Sequence, residues 1–173
     1  MTPPGVPAPA FREFERLSPN FAADTEHERL GALFHHSVMP FEETLEYMSL
    51  PESGVSYHVL IAPSGERCRL VPDERVAWHA GVSEFKGRPK CNAFLIGVSF
   101  AGDTYAAPLT EAQIASALDW LSSRWTRYGW APDWMTDHRQ VAPGRKDDLN
   151  PVEWQRLAAA IGACHGSKPF PSW

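Results

Sequence analysis

Ala93 to Phe100, AFLIGVSF, is the most apolar run in the chain and the strongest candidate for a central strand. Gly97 interrupts it, and a glycine inside a strand marks close approach by a neighbour. Residues 30–35, LGALFH, form a second short apolar run of the buried-strand kind, ending in the pair His35 and His36 before Ser37. A histidine placed there projects from the end of a rigid scaffold. Residues 55–61, VSYHVLI, alternate loosely and are rich in branched and aromatic side chains, and Pro63, Ser64 and Gly65 turn the chain toward a returning strand at Cys68 to Val71. Val76 to Trp78 predicts a further short extended piece. The polar loop from Ala80 to Asn92 that follows is long enough to carry function.

Helices are signalled between and after these strands. Apolar residues at 41, 45 and 48 make a short helical stripe over Phe41 to Met48, ended by Pro51, with Glu42, Glu43 and Glu46 on its solvated face. Thr110 and Gln113 form a capping box, and Ile114, Leu118, Leu121 and Trp125 then recur at helical spacing, so residues 111–127 should lie with one face on the sheet. Asn150 as cap, Pro151 at the first helical position and Glu153 at the third open a last helix, whose Trp154, Leu157, Ala158 and Ile161 share a face. The tryptophans at 120, 125 and 154 are core residues in this reading. The whole predicts an α/β domain with a single mixed β-sheet flanked by helices. Pro3, Pro4, Pro7, Pro9 and Pro19 make residues 1–28 an irregular lead-in, the domain proper spans 29–164, and 165–173 is a tail.

At 173 residues the chain fits one domain with one core. Sixteen Lys plus Arg against twenty-one Asp plus Glu, with no basic run, lack the footprint of a nucleic-acid binder. No stretch reaches the eighteen or so apolar residues of a membrane span, and the N-terminus lacks the basic start and apolar run of a signal peptide, so the product is expected to begin in the cytoplasm. Cys68, Cys91 and Cys164 are odd in number, far apart and without CxxC spacing, which argues against a disulfide framework or a zinc ribbon.

The densest chemistry lies in residues 137–148, DHRQVAPGRKDD. The Pro143-Gly144 turn must bend the chain and can bring Asp148 back beside His138. An imidazole and a carboxylate so placed are two of the three protein ligands of a hydrolytic zinc site, whose fourth position is left to water. The third ligand must come from elsewhere.

Taken together, FHHS (34–37), SYHVLI (56–61), AWHAGVSEFKGRPKCN (77–92), LIGVSF (95–100) and HRQVAPGRKDD (138–148) resemble the zinc-dependent N-acetylmuramoyl-L-alanine amidases. These share their domain with phage amidase lysozymes and peptidoglycan recognition proteins. The likeness runs from Leu30 to Ile161, and the AWHAG and PGRK segments look most like the AmpD-like bacterial branch. It implies one zinc ion held by His35, His138 and Asp148, with His36 and Asp147 as their rivals by position. Strand neighbours point to opposite faces, so only one of His35 and His36 can aim at the metal.

The resemblance further implies hydrolysis of the amide between the lactyl group of N-acetylmuramic acid and L-alanine, in a muropeptide or in cell wall; a monomer is expected, and the charge balance and lack of an apolar span argue against nucleic-acid and membrane partners. Lys146 matches the family's catalytic lysine and Tyr57 the tyrosine that phage members use beside the metal. Ser99 stands where the AmpD-like branch carries a glutamate, so Tyr57 and Lys146 are expected to share the acid/base work. Arg88, Lys90 and Asn92 match the loop that meets the peptide stem, and His79 either lines the cleft or braces that loop. His58 reads as a satisfied structural histidine; His27 and His165 carry no assignment. The setting implied is cytoplasmic recycling, or a lysin released by a holin or secretion system. A non-catalytic recognition module on the same fold is the alternative.

Overall fold

The computed structural model describes residues 11–166. Its elements, in chain order, are β1 (Glu13–Glu15), β2 (Phe21–Glu26), β3 (Gly31–His36), α1 (Phe41–Met48), β4 (Val59–Ile61), β5 (Arg67–Arg69), β6 (Arg75–Ala77), β7 (Glu84–Phe85), β8 (Arg88–Pro89), β9 (Leu95–Phe100), α2 (Glu111–Tyr128), β10 (Met135–Asp137), α3 (His138–Val141) and α4 (Pro151–His165). Six strands form the main sheet in the order β1-β5-β4-β9-β3-β10. Every pairing is parallel except the β4–β5 hairpin, so the sheet is mixed, as expected. Two-stranded pairs β2–β6 and β7–β8 lie outside it.

Alternation along the central strands sorts side chains into two layers. Ala32, Phe34, Ile96, Val98 and Phe100 pack on one face with Trp120, Leu121, Trp154, Leu157 and Ile161 of α2 and α4. Leu33 and Leu95 face the other way, against Ala80, Phe85, Phe94 and Val141. Phe34, Phe100, Leu33 and Ile96 are fully buried, and each such side chain contributes about 1.5–3 kcal/mol. Both cover helices start as their caps require. Thr110 Oγ1 accepts from Gln113 N–H and Gln113 Oε1 from Thr110 N–H, each at 3.0 Å, while Asn150 Oδ1 accepts from Val152 N–H at 3.0 Å.

The lead-in departs from the expected irregular coil. Within residues 11–28, β1 joins the main sheet alongside β5 and β2 pairs antiparallel with β6; Pro3, Pro4, Pro7 and Pro9 lie outside the described residues. Charge explains β1: Glu13 stands opposite Arg67 and Glu15 opposite Arg69, and both pairs form salt bridges across the strands. Pro19 falls between β1 and β2, where no ladder hydrogen bond is lost. The expected strand over 55–61 is shorter, its first residues departing to meet the 76–78 segment through Ser56 N–H to Trp78 O at 2.9 Å. All three cysteines are free thiols, and no helix among the described residues is long and apolar enough to cross a membrane.

Two buried histidines brace the layer behind β9. His58 Nδ1 accepts from Gly97 N–H at 2.9 Å and its Nε2–H meets Arg75 O at 2.8 Å; His27 Nε2 meets Leu95 O at 3.0 Å and its Nδ1 accepts from Arg29 N–H at 2.9 Å. Burial holds both neutral: His58 falls from 6.5 to about 4, and His27, further depressed by His58, to about 3. The unfolded chain therefore binds more protons than the native one in the window from about 6.5 down to 4, and stability drops as pH falls through it. Each tenfold loss of proton affinity is equivalent to about 1.4 kcal/mol, so His58 alone accounts for roughly 3 kcal/mol. Urea unfolding of the metal-free protein across that window should show this loss. In His58→Gln, which keeps an acceptor and a donor, the slope should be shallower; identical slopes for the two proteins would refute the assignment.

Candidate metal centre

Register places the first two donors. Asp137 on β10 pairs with Phe34 on β3, so the next residues, His138 and His35, emerge side by side at the ends of neighbouring parallel strands. His35 points to the Leu33 face. His36 points to the opposite one, where its Nδ1 accepts from Thr104 N–H at 3.1 Å. Asp137, fully buried, then anchors the following loop: Oδ1 accepts from Gln140 N–H at 3.2 Å and Oδ2 from Leu149 N–H at 3.1 Å. Burial raises its pKa to about 6 despite these donors. Ala142 O takes the N–H groups of Arg145 and Lys146 at 3.1 and 3.0 Å, and Gly144 supplies the positive φ of 75° that the Pro143-Gly144 turn requires. Arg139 N–H donates to Asp148 O at 2.6 Å, which lays Asp148 against His138.

Three donor atoms converge as a result. His35 Nδ1 and His138 Nδ1 are 3.0 Å apart, His35 Nδ1 is 3.5 Å from Asp148 Oδ2, and His138 Nδ1 is 3.3 Å from Asp148 Oδ1. Metal–ligand bonds of about 2.0–2.1 Å in a tetrahedron put neighbouring donors roughly 3.4 Å apart, so the spacing suits one small cation. The hydrogen positions point the same way. His138 Nε2 faces Ala80 O at 3.0 Å and His79 Nε2 faces Leu95 O at 3.0 Å; a carbonyl only accepts, so both nitrogens carry hydrogen. Burial, then the neighbouring His35, hold His79 well below 6.5, which leaves its Nδ1 as the acceptor for His35 Nε2–H at 2.9 Å. Burial, aided by His138, depresses His35 to about 4. For Asp148, burial works upward but the close approach of His138 and His35 prevails and holds its carboxyl far below the usual range. In neutral form both imidazoles aim Nδ1 lone pairs at one carboxylate. A bound cation would satisfy the three donor atoms together.

His36, Asp147 and Asp148 also bring donor atoms within 4.8 Å of one another. That grouping is the poorer one, since Asp147 is exposed and His36 Nδ1 already accepts from Thr104.

The centre opens into a cleft of about 300 Å³ whose walls include Tyr57, Trp78, His79, Lys146 and Asp147. The Tyr57 ring lies 5.1 Å from that of His35. Burial, partly offset by the Ser99 hydroxyl, pushes its phenol up to about 12. Ser99, opposite His35 in the sheet register, is fully buried, and its Oγ lacks a well-formed hydrogen bond. Lys146 is exposed on the wall and forms no ion pair among the described residues.

Arg88, Lys90 and Asn92 do not line the cleft. Arg88 is held by Glu28 and stacks over Phe94 at 4.4 Å, and Asn92 Oδ1 is spent on the backbone N–H groups of His79 and Ala80. His79 is 7% exposed with both ring nitrogens engaged. The bonding of His79, Ala80 and Asn92 to the ligand shell had no local signal, because it joins segments distant in the chain. The one hint was Gly97: a Cβ there would sit 2.6 Å from the His79 ring, which is the close approach expected.

The sequence pattern of the N-acetylmuramoyl-L-alanine amidase family matches residues 29–151. Over 134 residues the chain is 41% identical to the 1,6-anhydro-N-acetylmuramyl-L-alanine amidase AmpD of Citrobacter freundii, covering 76% of this chain and 70% of that one. It is 31% identical over 170 residues to the N-acetylmuramoyl-L-alanine amidase AmiD of Escherichia coli, covering 88% of this chain and 61% of the relative. Among solved structures, a selenomethionine derivative of AmpD superposes with a TM-score of 0.69 at 30% identity, covering 87% of this chain and 94% of that one. AmiD from Escherichia coli in complex with anhydro-N-acetylmuramic acid-L-Ala-D-γ-Glu-L-Lys gives 0.71 at 27% identity, over 86% of this chain and 62% of the other.

Metal-stripped protein titrated with a divalent transition metal should take up one ion per chain. Alanine at His35, His138 or Asp148 should abolish stoichiometric uptake, whereas His36→Ala and Asp147→Ala should keep it. The reverse pattern would move the site to the second grouping.

Proposed function

The chain belongs to the N-acetylmuramoyl-L-alanine amidase family, and from this premise we propose that it is a zinc amidohydrolase cleaving the bond between the lactyl carbonyl of N-acetylmuramic acid and the amine of L-alanine. The convergence of two Nδ1 lone pairs and a carboxylate at the cleft floor carries this reading. His35, His138 and Asp148 would hold the ion, which when bound makes water a competent nucleophile at neutral pH. Water's oxygen ends on the lactyl carbonyl carbon as a carboxylate, the C–N bond breaks, and the alanine nitrogen leaves as an ammonium carrying both of water's protons.

The chain's own groups divide the remaining work. A phenol held near 12 stays protonated at neutral pH, so Tyr57 serves as a donor, to the carbonyl oxygen as charge builds there or to the departing amine. The Lys146 ammonium, on the same wall and outside any ion pair among the described residues, offsets that charge, a contribution of roughly 2.7–4 kcal/mol where such donors have been removed elsewhere. Ser99, buried beside Tyr57, cannot replace a carboxylate as base. The catalytic unit spans residues 29–164, to which β1 and β2 are attached.

Tyr57→Phe and Lys146→Ala should each lose at least tenfold in turnover while binding zinc with parent affinity; near-parent rates in both would remove them from the chemistry. Zinc-loaded protein should be incubated separately with anhydro-muropeptide and with intact sacculi, and the products weighed by mass spectrometry. Free stem peptide from the soluble fragment alone assigns recycling, and release from sacculi assigns lysis. No cleavage of either would overturn the enzyme.

A further inference from the structure

Two consecutive residues serve both imidazole ligands. His79 Nδ1 accepts from His35 Nε2–H at 2.9 Å, and Ala80 O accepts from His138 Nε2–H at 3.0 Å. The dipeptide is itself clamped from both sides. Asn92 Oδ1 accepts from His79 N–H at 3.0 Å and from Ala80 N–H at 2.7 Å, and since both partners are donors, the amide oxygen must be the atom facing them. On the carbonyl side, Arg145 Nη2 donates to Ala80 O at 2.6 Å and to Val82 O at 2.7 Å. The His79 ring is closed against Gly97 and fixed to Leu95 O at 3.0 Å, so it cannot swing away.

We propose that Asn92 is a positioning residue: by gripping the His79 and Ala80 amides together, it fixes the tautomer and the aim of both histidine ligands. A histidine ligand's outward N–H usually has one partner of its own. Here both partners belong to one clipped dipeptide, so a single amide side chain that is not itself a ligand bears on the two rings at once. Without it the two amides lose their common partner and the dipeptide is held only through Leu95 O and Arg145, so the acceptors of His35 and His138 loosen together and either ring can present a protonated nitrogen to the ion.

The inference rests on the zinc reading above, and its test separates the two. Zinc affinity is measured by chelator competition, and ligand geometry by the visible spectrum of the cobalt-substituted protein, on the parent, Asn92→Leu and Asn92→Asp. Asn92→Leu should raise the zinc Kd roughly 10- to 100-fold and shift the cobalt bands, whereas Asn92→Asp, which keeps an acceptor oxygen, should restore both. Parent affinity and spectrum in Asn92→Leu would overturn the inference while leaving the zinc site standing; a parent that takes up no zinc would end both. If Asn92→Leu does not fold, ¹⁵N NMR of the zinc-loaded parent decides the matter. Coordination through Nδ1 with exchange-protected Nε2–H on both His35 and His138 supports it, and coordination through Nε2 on either overturns it.

Discussion

The parallel pairing of β3 with β10 is the constraint on which the site depends. Because Phe34 and Asp137 share a register position, two imidazoles 103 residues apart in the chain leave the sheet as neighbours, their Nδ1 atoms 3.0 Å apart. A slip of one residue would send one of the rings to the opposite face, among the α2 and α4 core, because side chains alternate with a period of two. That register is secured on both faces, by Phe34 packed with Phe100 and Trp154 on one and by Leu33 with Phe94 and Leu95 on the other. The apolar layers thus do geometric work for the polar site.

A second constraint is protonation. His27, His58, His79 and His35 are all buried and all depressed below 6.5, in each case chiefly by loss of hydration. They run as a column of ring contacts, with centroid separations of 5.1 Å for His27–His58, 5.8 Å for His58–His79 and 5.1 Å for His79–His35. A neutral imidazole must donate at one nitrogen and accept at the other. Backbone groups of Arg29, Arg75, Leu95 and Gly97 dictate which is which along the column. Each ring is assigned by its own backbone partners, and His79, fixed by Leu95 O, passes its assignment on to the ligand His35.

Features whose cause is local could be read before any coordinates. The capping box at Thr110, the Asn150-Pro151 start of α4, the Pro143-Gly144 bend and the need for space at Gly97 each follow from a few adjacent residues, and each is found. The ligand candidates rest on motif resemblance, and the structure brings His35, His138 and Asp148 together while His36 is engaged by Thr104. What stayed hidden is non-local. β1 is three residues long with no apolar alternation to announce it, and its place is set by arginines some fifty residues further on. Motif resemblance assigns Asn92 to the loop that meets the peptide stem; its hydrogen bonds to the amides at 79 and 80 are set by the fold of the 80–92 loop around the β7–β8 hairpin and have no local signal.

β1 has a consequence beyond topology. It covers the outer rim of β5, whose N–H and C=O groups would otherwise stand open to any extended chain. Glu13 and Glu15 make that cover selective: an intruding strand would need acidic groups at the same two-residue spacing to neutralise Arg67 and Arg69. The rim is thereby moved from β5 to a three-residue strand carrying two carboxylates, and trimming the polypeptide at Arg16 would return it to the arginine-bearing flank of β5.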